Sequence, residues 1–307
     1  MPDSAAPVTG PAALRSRLAS GDVVITAEIG PPRGADPAAI GAAAGPLRGW
    51  VDAVNVTDGP GGSVRMSSLA GSVLALAAGV EPVMQLTCRD RNRIALQADL
   101  LGAAALGVRN VLLMTGDHPR SGDHPQARPV FDLDGVQLVQ AARGMRDHGR
   151  LLSGRALASA PGWLIGAVAD PFAPAARLAT KVAAGAEFVQ TQYVFDVPRF
   201  ARWLSEVRDL GLDQRCAILA GVGPVRSIRA LEHLAASVPG VQIPAALAGR
   251  LRGVPAGQVA AEGLRICVDT IQHLLQLPGV RGIHLMAPGF EHGVPEILDL
   301  AGMAHAH

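Results

Sequence analysis

Hydrophobic and polar positions along the chain fall into a repeating couplet. A short run rich in β-branched and apolar residues is followed by a turn, and then by a longer Ala/Leu/Arg segment whose apolar residues recur at helical spacing. Eight runs predict strands: Val23 to Ile29, Ala53 to Thr57, Val83 to Thr87, Asn110 to Thr115, Trp163 to Ala169, Phe188 to Gln192, Ala217 to Gly221 and Gly282 to Met286. Between and after them the spacing predicts helices over Pro37 to Arg48, Arg65 to Gly79, Arg91 to Leu106, Gly135 to Asp147, Pro174 to Gly185, Pro198 to Leu210, Ser227 to Ser237 and Gln258 to Leu275. Two further helices, Ala12 to Ser20 and Glu291 to Ala301, flank the series.

Nearly continuous apolar strands alternating with helices imply a parallel sheet covered on both faces. Eight such units in 307 residues match an α/β fold of the (β/α)8 TIM-barrel type, with an N-terminal extra helix closing the bottom and a C-terminal extra helix. An open doubly wound sheet would carry a glycine-rich first βα turn. Here that turn reads IGPPRG, and its paired prolines form no phosphate cradle. No composition shift marks an internal boundary, so the expected organisation is an N-terminal segment and helix over 1–22 and a single barrel domain over 23–307.

Composition narrows the function classes. With 49% apolar and 17% charged residues the chain has ample core-forming material, which excludes disorder. A net charge of +1 and 3% aromatic residues disfavour nucleic acid as a partner. No stretch approaches the roughly 20 apolar residues of a membrane span, so no membrane association is expected. Three cysteines, Cys88, Cys216 and Cys267, lie far apart in odd number, which indicates neither a disulfide framework nor a zinc cluster and suits a reducing, cytoplasmic setting.

In a barrel the chemistry lies at the C-terminal ends of the strands. The polar residues there are Glu28, Thr57 with Asp58, Gln85 and Thr87, Thr115 and Asp117, Asp170, and Gln190 with Gln192. A carboxyl group inside VVITAEIG must be satisfied, and burial disfavours its ionised form. Glu28 is therefore a candidate proton donor, against the plain alternative of a structural carboxylate. Asp117 follows a turn-permissive Gly116 in LLMTGDHP; it is either a turn cap or the charged partner of Glu28 across the mouth. GDHP recurs at Gly116 to Pro119 and Gly122 to Pro125, but adjacent residues on a Pro-rich loop lack metal-ligand spacing. GPGGS at Gly59 to Ser63 is a loop whose amides could meet a phosphate. Lys181 is the one lysine among 27 basic residues, a compact ammonium suited to a phosphate or cofactor contact.

These elements carry a resemblance. AEIGPPRG (27–34), VNVTDGPGG (54–62), QLTCRDRN (85–92), LGVRNVLLMTGDHP (106–119), KVAAGAEFVQTQYVFD (181–196) and VPGVQIP (238–244) occur in the order and at the barrel positions of the methylenetetrahydrofolate reductase family. The chain resembles the bacterial, FAD-binding branch, and 307 residues leave room for the barrel and not for the extra domains of longer relatives. The resemblance implies reduction of 5,10-methylenetetrahydrofolate to 5-methyltetrahydrofolate with NADH or NADPH through bound FAD. It implies Glu28 as general acid, Asp117 as the aspartate that contacts the pterin and stabilises a cationic iminium, and Gln192 as a substrate-binding amide. Thr57, Gln85, Thr115, Gly116, Asp170 and Lys181 fall at flavin-side positions. Three of these depart from the common pattern: Gln85 stands where His is frequent, Thr115 where Arg precedes Gly-Asp, and Asp170 where Asn or His precedes Pro171. A homo-oligomer is a family expectation. Without a separate dinucleotide-binding domain, the nicotinamide and the folate are expected to take turns at one site, in ping-pong fashion. The departures motivate one rival reading, a flavin-independent NAD(P)H reductase; a second, from another class, is a catalytically silent folate-binding accessory subunit, against which intact Glu28, Asp117 and Gln192 speak.

Overall fold

The computed structural model describes residues 13–303 apart from Pro239; the expected segment 1–12, the start of the first helix at Ala12 and the last four residues lie outside them. Eight parallel strands close in sequence order, the first pairing with the last. They are β1 Val24–Ile29, β2 Ala53–Val56, β3 Pro82–Thr87, β4 Asn110–Met114, β5 Leu164–Ala169, β6 Phe188–Tyr193, β7 Ala217–Val222 and β8 Val280–Leu285. The described helices of the α type are α1 Ala13–Ser20, α2 Ala38–Ala44, α3 Ser68–Ala77, α4 Arg93–Ala105, α5 Gly135–His148, α6 Ala176–Ala184, α7 Val197–Asp209, α8 Ile228–Ser237, α9 Ala245–Arg252, α10 Val259–Leu275 and α11 Val294–Leu300. The (β/α)8 barrel expected from the couplets is the fold that forms.

Caps explain where the helices begin. Ser67, Asn92 and Ser227 accept backbone N–H groups of the first turns of α3, α4 and α8, and Asp134 forms a capping box with Gln137 at the start of α5, satisfying donors that have no partner inside the helix. The predicted helix over Pro37 to Arg48 stops as an α-helix at Ala44 and tightens into a 3-10 turn at Gly45–Leu47, because Pro46 has no N–H to continue the ladder. The short helix α9 follows Pro244 and was not expected from the sequence.

The strands are not uniformly apolar. Successive side chains alternate between the helix layer and the barrel interior. In β1, Ile25, Ala27 and Ile29 join the main core against the helices, while Val24 belongs to the floor inside the barrel with Ala53, Val83, Leu112, Phe188 and Leu219. Leu14 of α1, fully buried, seals that floor from below. Gly166 on β5 leaves room for the Phe188 ring: a Cβ there would stand 2.3 Å from Cζ. Above the floor, inward positions turn polar, and this places the site.

Candidate active site

Glu28 occupies the last inward position of β1, with its side chain 20% exposed. Its Oε2 accepts a hydrogen bond from Gln85 Nε2 at 3.1 Å and lies 3.8 Å from His284 Nε2. Below it sits a closed layer of side chains inside the barrel. Thr26, Asn55, Gln190 and His284 are all buried. Asn55 Nδ2 donates to Gln190 Oε1 at 2.5 Å and Gln190 Nε2 returns a bond to Asn55 Oδ1 at 3.0 Å. Gln190 Nε2 also donates to Thr26 Oγ1 at 3.1 Å, which is 3.0 Å from His284 Nδ1. Mutual pairing offsets the desolvation cost that isolated buried amides would carry. Gln190 therefore belongs to this layer rather than to the mouth. His284 in GIHLM, Thr26 and Asn55 were missed from sequence, although Thr26 and Asn55 stand two residues from the recognised positions Glu28 and Thr57.

β6 bulges against β7 between Gln190 and Tyr193. Thr191 fills the irregularity, its hydroxyl donating to Gln192 O and accepting from Gly221 N, both at 2.9 Å. Such bulges redirect side chains. Gln192 Oε1 accepts from Tyr193 N at 2.9 Å, and a Cβ at Gly240 would lie 3.6 Å from Gln192 Cγ and 3.9 Å from Asp170 Oδ1, so the segment after α8 crosses close to both residues. The Tyr193 hydroxyl donates to Met286 O at 3.1 Å, and burial, with the nearby Glu28 charge second, pushes its ionisation above the ordinary range.

Much of the polar sequence at the mouth is structural. Asp58, buried, accepts from Thr87 N and Thr87 Oγ1 at 2.9 Å and from Arg91 at 2.8 and 3.1 Å, so Asp58 and Thr87 brace the ends of β2 and β3. Arg89 donates to Gly59 O at 3.0 Å. The GPGGS loop packs against the GDHP loop: a Cβ at Gly122 would meet Gly62 O at 2.0 Å, and Asp123 accepts from Val64 N at 3.1 Å. Gly62 and Gly122 let the two loops meet at close range. His118 Nδ1 accepts from Arg120 N at 3.2 Å, and among the described residues no His, Cys, Asp and Glu group could hold a metal.

Asp117, expected to face Glu28 across the mouth, shares no hydrogen bond with it. Asp117 lies beyond the end of β4 on an exposed loop and forms no hydrogen bond or ion pair with another described residue, so it does not cap a turn. Gly116 holds φ +87°, and a Cβ there would lie 2.8 Å from Thr87 Cβ, which requires glycine. Thr115 Oγ1 accepts from Gly135 N at 3.0 Å and ties the loop to α5.

Asp170 and Lys181 meet in a cavity of about 300 Å³ with Arg177 and Thr180, walled by Val136, Leu178 and Trp203. Lys181 Nζ donates to Val168 O at 2.6 Å. Burial pushes its ammonium below the ordinary lysine range, with Asp170 opposing. Asp170 Oδ1 accepts from Phe172 N at 2.9 Å. On the far side of the mouth, Thr57 Oγ1 is buried without a hydrogen-bond partner.

Fold and site define a (β/α)8 barrel of the kind that works at its C-terminal mouth, here with a carboxyl group framed by amides and a cationic cavity at the rim. The profile of the methylenetetrahydrofolate reductase family matches residues 13–302, and the chain belongs to that family. It is similar to a probable NADPH methylenetetrahydrofolate reductase of Caenorhabditis elegans, 25% identical over 77% of this chain and 34% of the relative. A 5,10-methylenetetrahydrofolate reductase of Pectobacterium carotovorum is 26% identical over 67% of this chain and 64% of its own length. The chain spans between 34% and 41% of the length of the C. elegans relative and of two yeast relatives. Among solved structures, a Clostridium thermocellum protein described as binding two copies of 5-methyl-5,6,7,8-tetrahydrofolic acid shares the fold, with a TM-score of 0.63, 13% identity and 94% and 97% of the two chains covered. No described helix is long and apolar enough to cross a membrane.

Proposed function

We propose that the protein reduces 5,10-methylenetetrahydrofolate to 5-methyltetrahydrofolate with NADH or NADPH, and that Glu28 is its proton donor. The observation that carries this reading is the carboxyl of Glu28 at the mouth, with Oε2 held by Gln85 and Oε1 bonded to no other described residue. Family membership supplies the substrate class. The curated relatives include enzymes named for NADPH and for NADH, and both reductants stay in the proposal.

The reaction needs a proton on a folate nitrogen so that the five-membered ring opens to a cationic iminium, followed by hydride delivery to the exposed carbon. Glu28 supplies the proton from its free oxygen. Asp117, unpaired and at the same end of the barrel, offers a charge that stabilises the cation. Gln192, fixed by the β6 bulge, orients the heterocycle with donor and acceptor groups.

The residues present fit FAD. Thr57 offers a buried hydroxyl without a partner, and Arg177 with Lys181 sets two cations in the cavity beside Asp170, suited to a diphosphate. Gly116, which only glycine can occupy, lets a flat ring approach the backbone. Gln85 and Thr115 act one step removed, Gln85 on Glu28 and Thr115 on α5. When bound, the flavin carries two electrons from the nicotinamide to the folate. The two substrates then take turns in one mouth, a ping-pong scheme, with a single barrel domain over 23–307 sufficing. A homo-oligomeric, cytoplasmic enzyme serving methionine synthesis completes the reading.

The test is an absorbance spectrum of the purified protein followed by titration with methylenetetrahydrofolate and each reduced nicotinamide. The expected result is a flavin band bleached by NAD(P)H and restored by the folate. A colourless protein that still turns over removes FAD and leaves direct hydride transfer; a protein inert toward the folate overturns the activity.

A further inference from the structure

We propose that Arg199 is a positioning residue: by latching the strap 240–244 across the mouth, it fixes how Gln192 sits relative to the rim cavity at Asp170. The inference rests on the substrate-binding role given to Gln192 above. The strap connects α8 to α9. Gly240 holds φ +78°, and its backbone comes so near both sites that a Cβ there would stand 3.6 Å from Gln192 Cγ and 3.8 Å from Asp170 Cγ.

Arg199 lies in the first turn of α7. Its Nη1 donates to Gln242 Oε1, two residues beyond Gly240. Its Nη2 donates to Phe172 O at 3.4 Å, and the guanidinium stands 4.9 Å from the centroid of the Phe172 ring. Phe172 N in turn donates to Asp170 Oδ1 at 2.9 Å. These contacts close a circuit, which runs from Asp170 through Phe172 and Arg199 to Gln242 and returns along the strap to Asp170 and Gln192.

Apolar burial alone does not set this geometry. Val241 and Ile243 pack against the cluster that contains Phe195, Val225, Leu231 and Leu247, but such attraction is non-directional and leaves the height of the strap over the mouth open. A planar guanidinium with its donors in a rigid fork sets direction as well as distance. Arg199 forms no ion pair with a described residue, so its fork is committed to neutral groups on two different mouth loops. Gln192 Oε1 accepts from Tyr193 N at 2.9 Å, and the strap bounds the same side chain at Cγ. Withdrawal of the strap would leave the amide room to turn, and recognition of a heterocycle by one donor and one acceptor requires it to stay oriented.

The test is a double-mutant cycle with two readouts. Arg199→Met and Gln242→Leu each remove one end of the latch and keep a side chain of similar size. Each is expected to raise KM for methylenetetrahydrofolate about fivefold, more than it lowers kcat, and the double variant is expected to be no worse than the more impaired single one, because both break the same contact. Hydrogen exchange of the backbone amides at 241–243, followed by mass spectrometry, is expected to quicken about tenfold in each variant, the equivalent of one hydrogen bond to a charged group. Additive rises in KM, a loss confined to kcat, or exchange as slow as in the wild type overturns the proposal. Wild-type protein that fails to reduce the folate refutes the proposed activity alone, and the cycle read in hydrogen exchange still decides whether Arg199 latches the strap.

Discussion

Gln85 Nε2 donates to Glu28 Oε2 at 3.1 Å, joining β3 to β1 across the intervening strand. The bond fixes the orientation of the carboxyl at the mouth. Gln85→Leu keeps the volume and removes the donor. Folate reduction is expected to fall by about tenfold, the equivalent of one hydrogen bond to a charged group, in steady-state assays of the purified variant. Unchanged kcat would make the contact incidental.

Asp117 separates catalysis from stability. It is exposed and bonds to none of the described residues, so Asp117→Asn should leave the unfolding midpoint within about 0.5 kcal/mol of wild type. Loss of a charge that stabilises the iminium should nevertheless lower folate reduction by about two orders of magnitude. A variant as active as wild type would remove Asp117 from the chemistry.

Gly166 reports on the barrel floor. A methyl group there would stand 2.3 Å from the Phe188 ring, and overpacking of this kind costs about 1–3 kcal/mol. Thermal denaturation should show Gly166→Ala destabilised, and adding Phe188→Leu should return part of the loss through coupling between neighbours. Additive losses would place the ring elsewhere.

Lys181 gives a pH signature. Burial depresses its ammonium below the ordinary lysine value of 10.5, so between the folded and unfolded values the native state binds fewer protons than the unfolded chain. Stability contributed by this group therefore rises with pH through that interval and is lower below it. Lys181→Met abolishes the slope, and its denaturant midpoint should vary less with alkaline pH than that of the wild type. Parallel pH profiles would contradict the buried setting.

The barrel was legible because apolar strands alternate with helices, several of which announce a cap, as at Ser67, Asn92, Asp134 and Ser227. The site was legible only at its rim. Reading strands as apolar runs and looking for chemistry at their ends finds Glu28 and Gln85, but passes over Thr26, Asn55 and His284, which are polar at inward positions in mid-strand. The signal was present in VITAEI, where Ile25, Ala27 and Ile29 face the helices and Thr26 and Glu28 face inward. Asp117 illustrates the opposite limit: its spacing from β4 fixes the end of the barrel it occupies, while the loop decides what it meets. The GDHP and GPGGS loops invited a ligand reading, yet the contact of Gly122 with Gly62 and the bond from Val64 to Asp123 depend on two segments meeting in space, which no local pattern reveals.

Glu28→Gln tests the central claim most directly, because it preserves shape and hydrogen bonding while removing the transferable proton. Wild type and variant are compared in two assays, reduction of methylenetetrahydrofolate and oxidation of NAD(P)H with an artificial electron acceptor. The account predicts a loss of about a hundredfold or more in the first and near wild-type rates in the second. Equal losses in both, or full folate reduction by the variant, would contradict it.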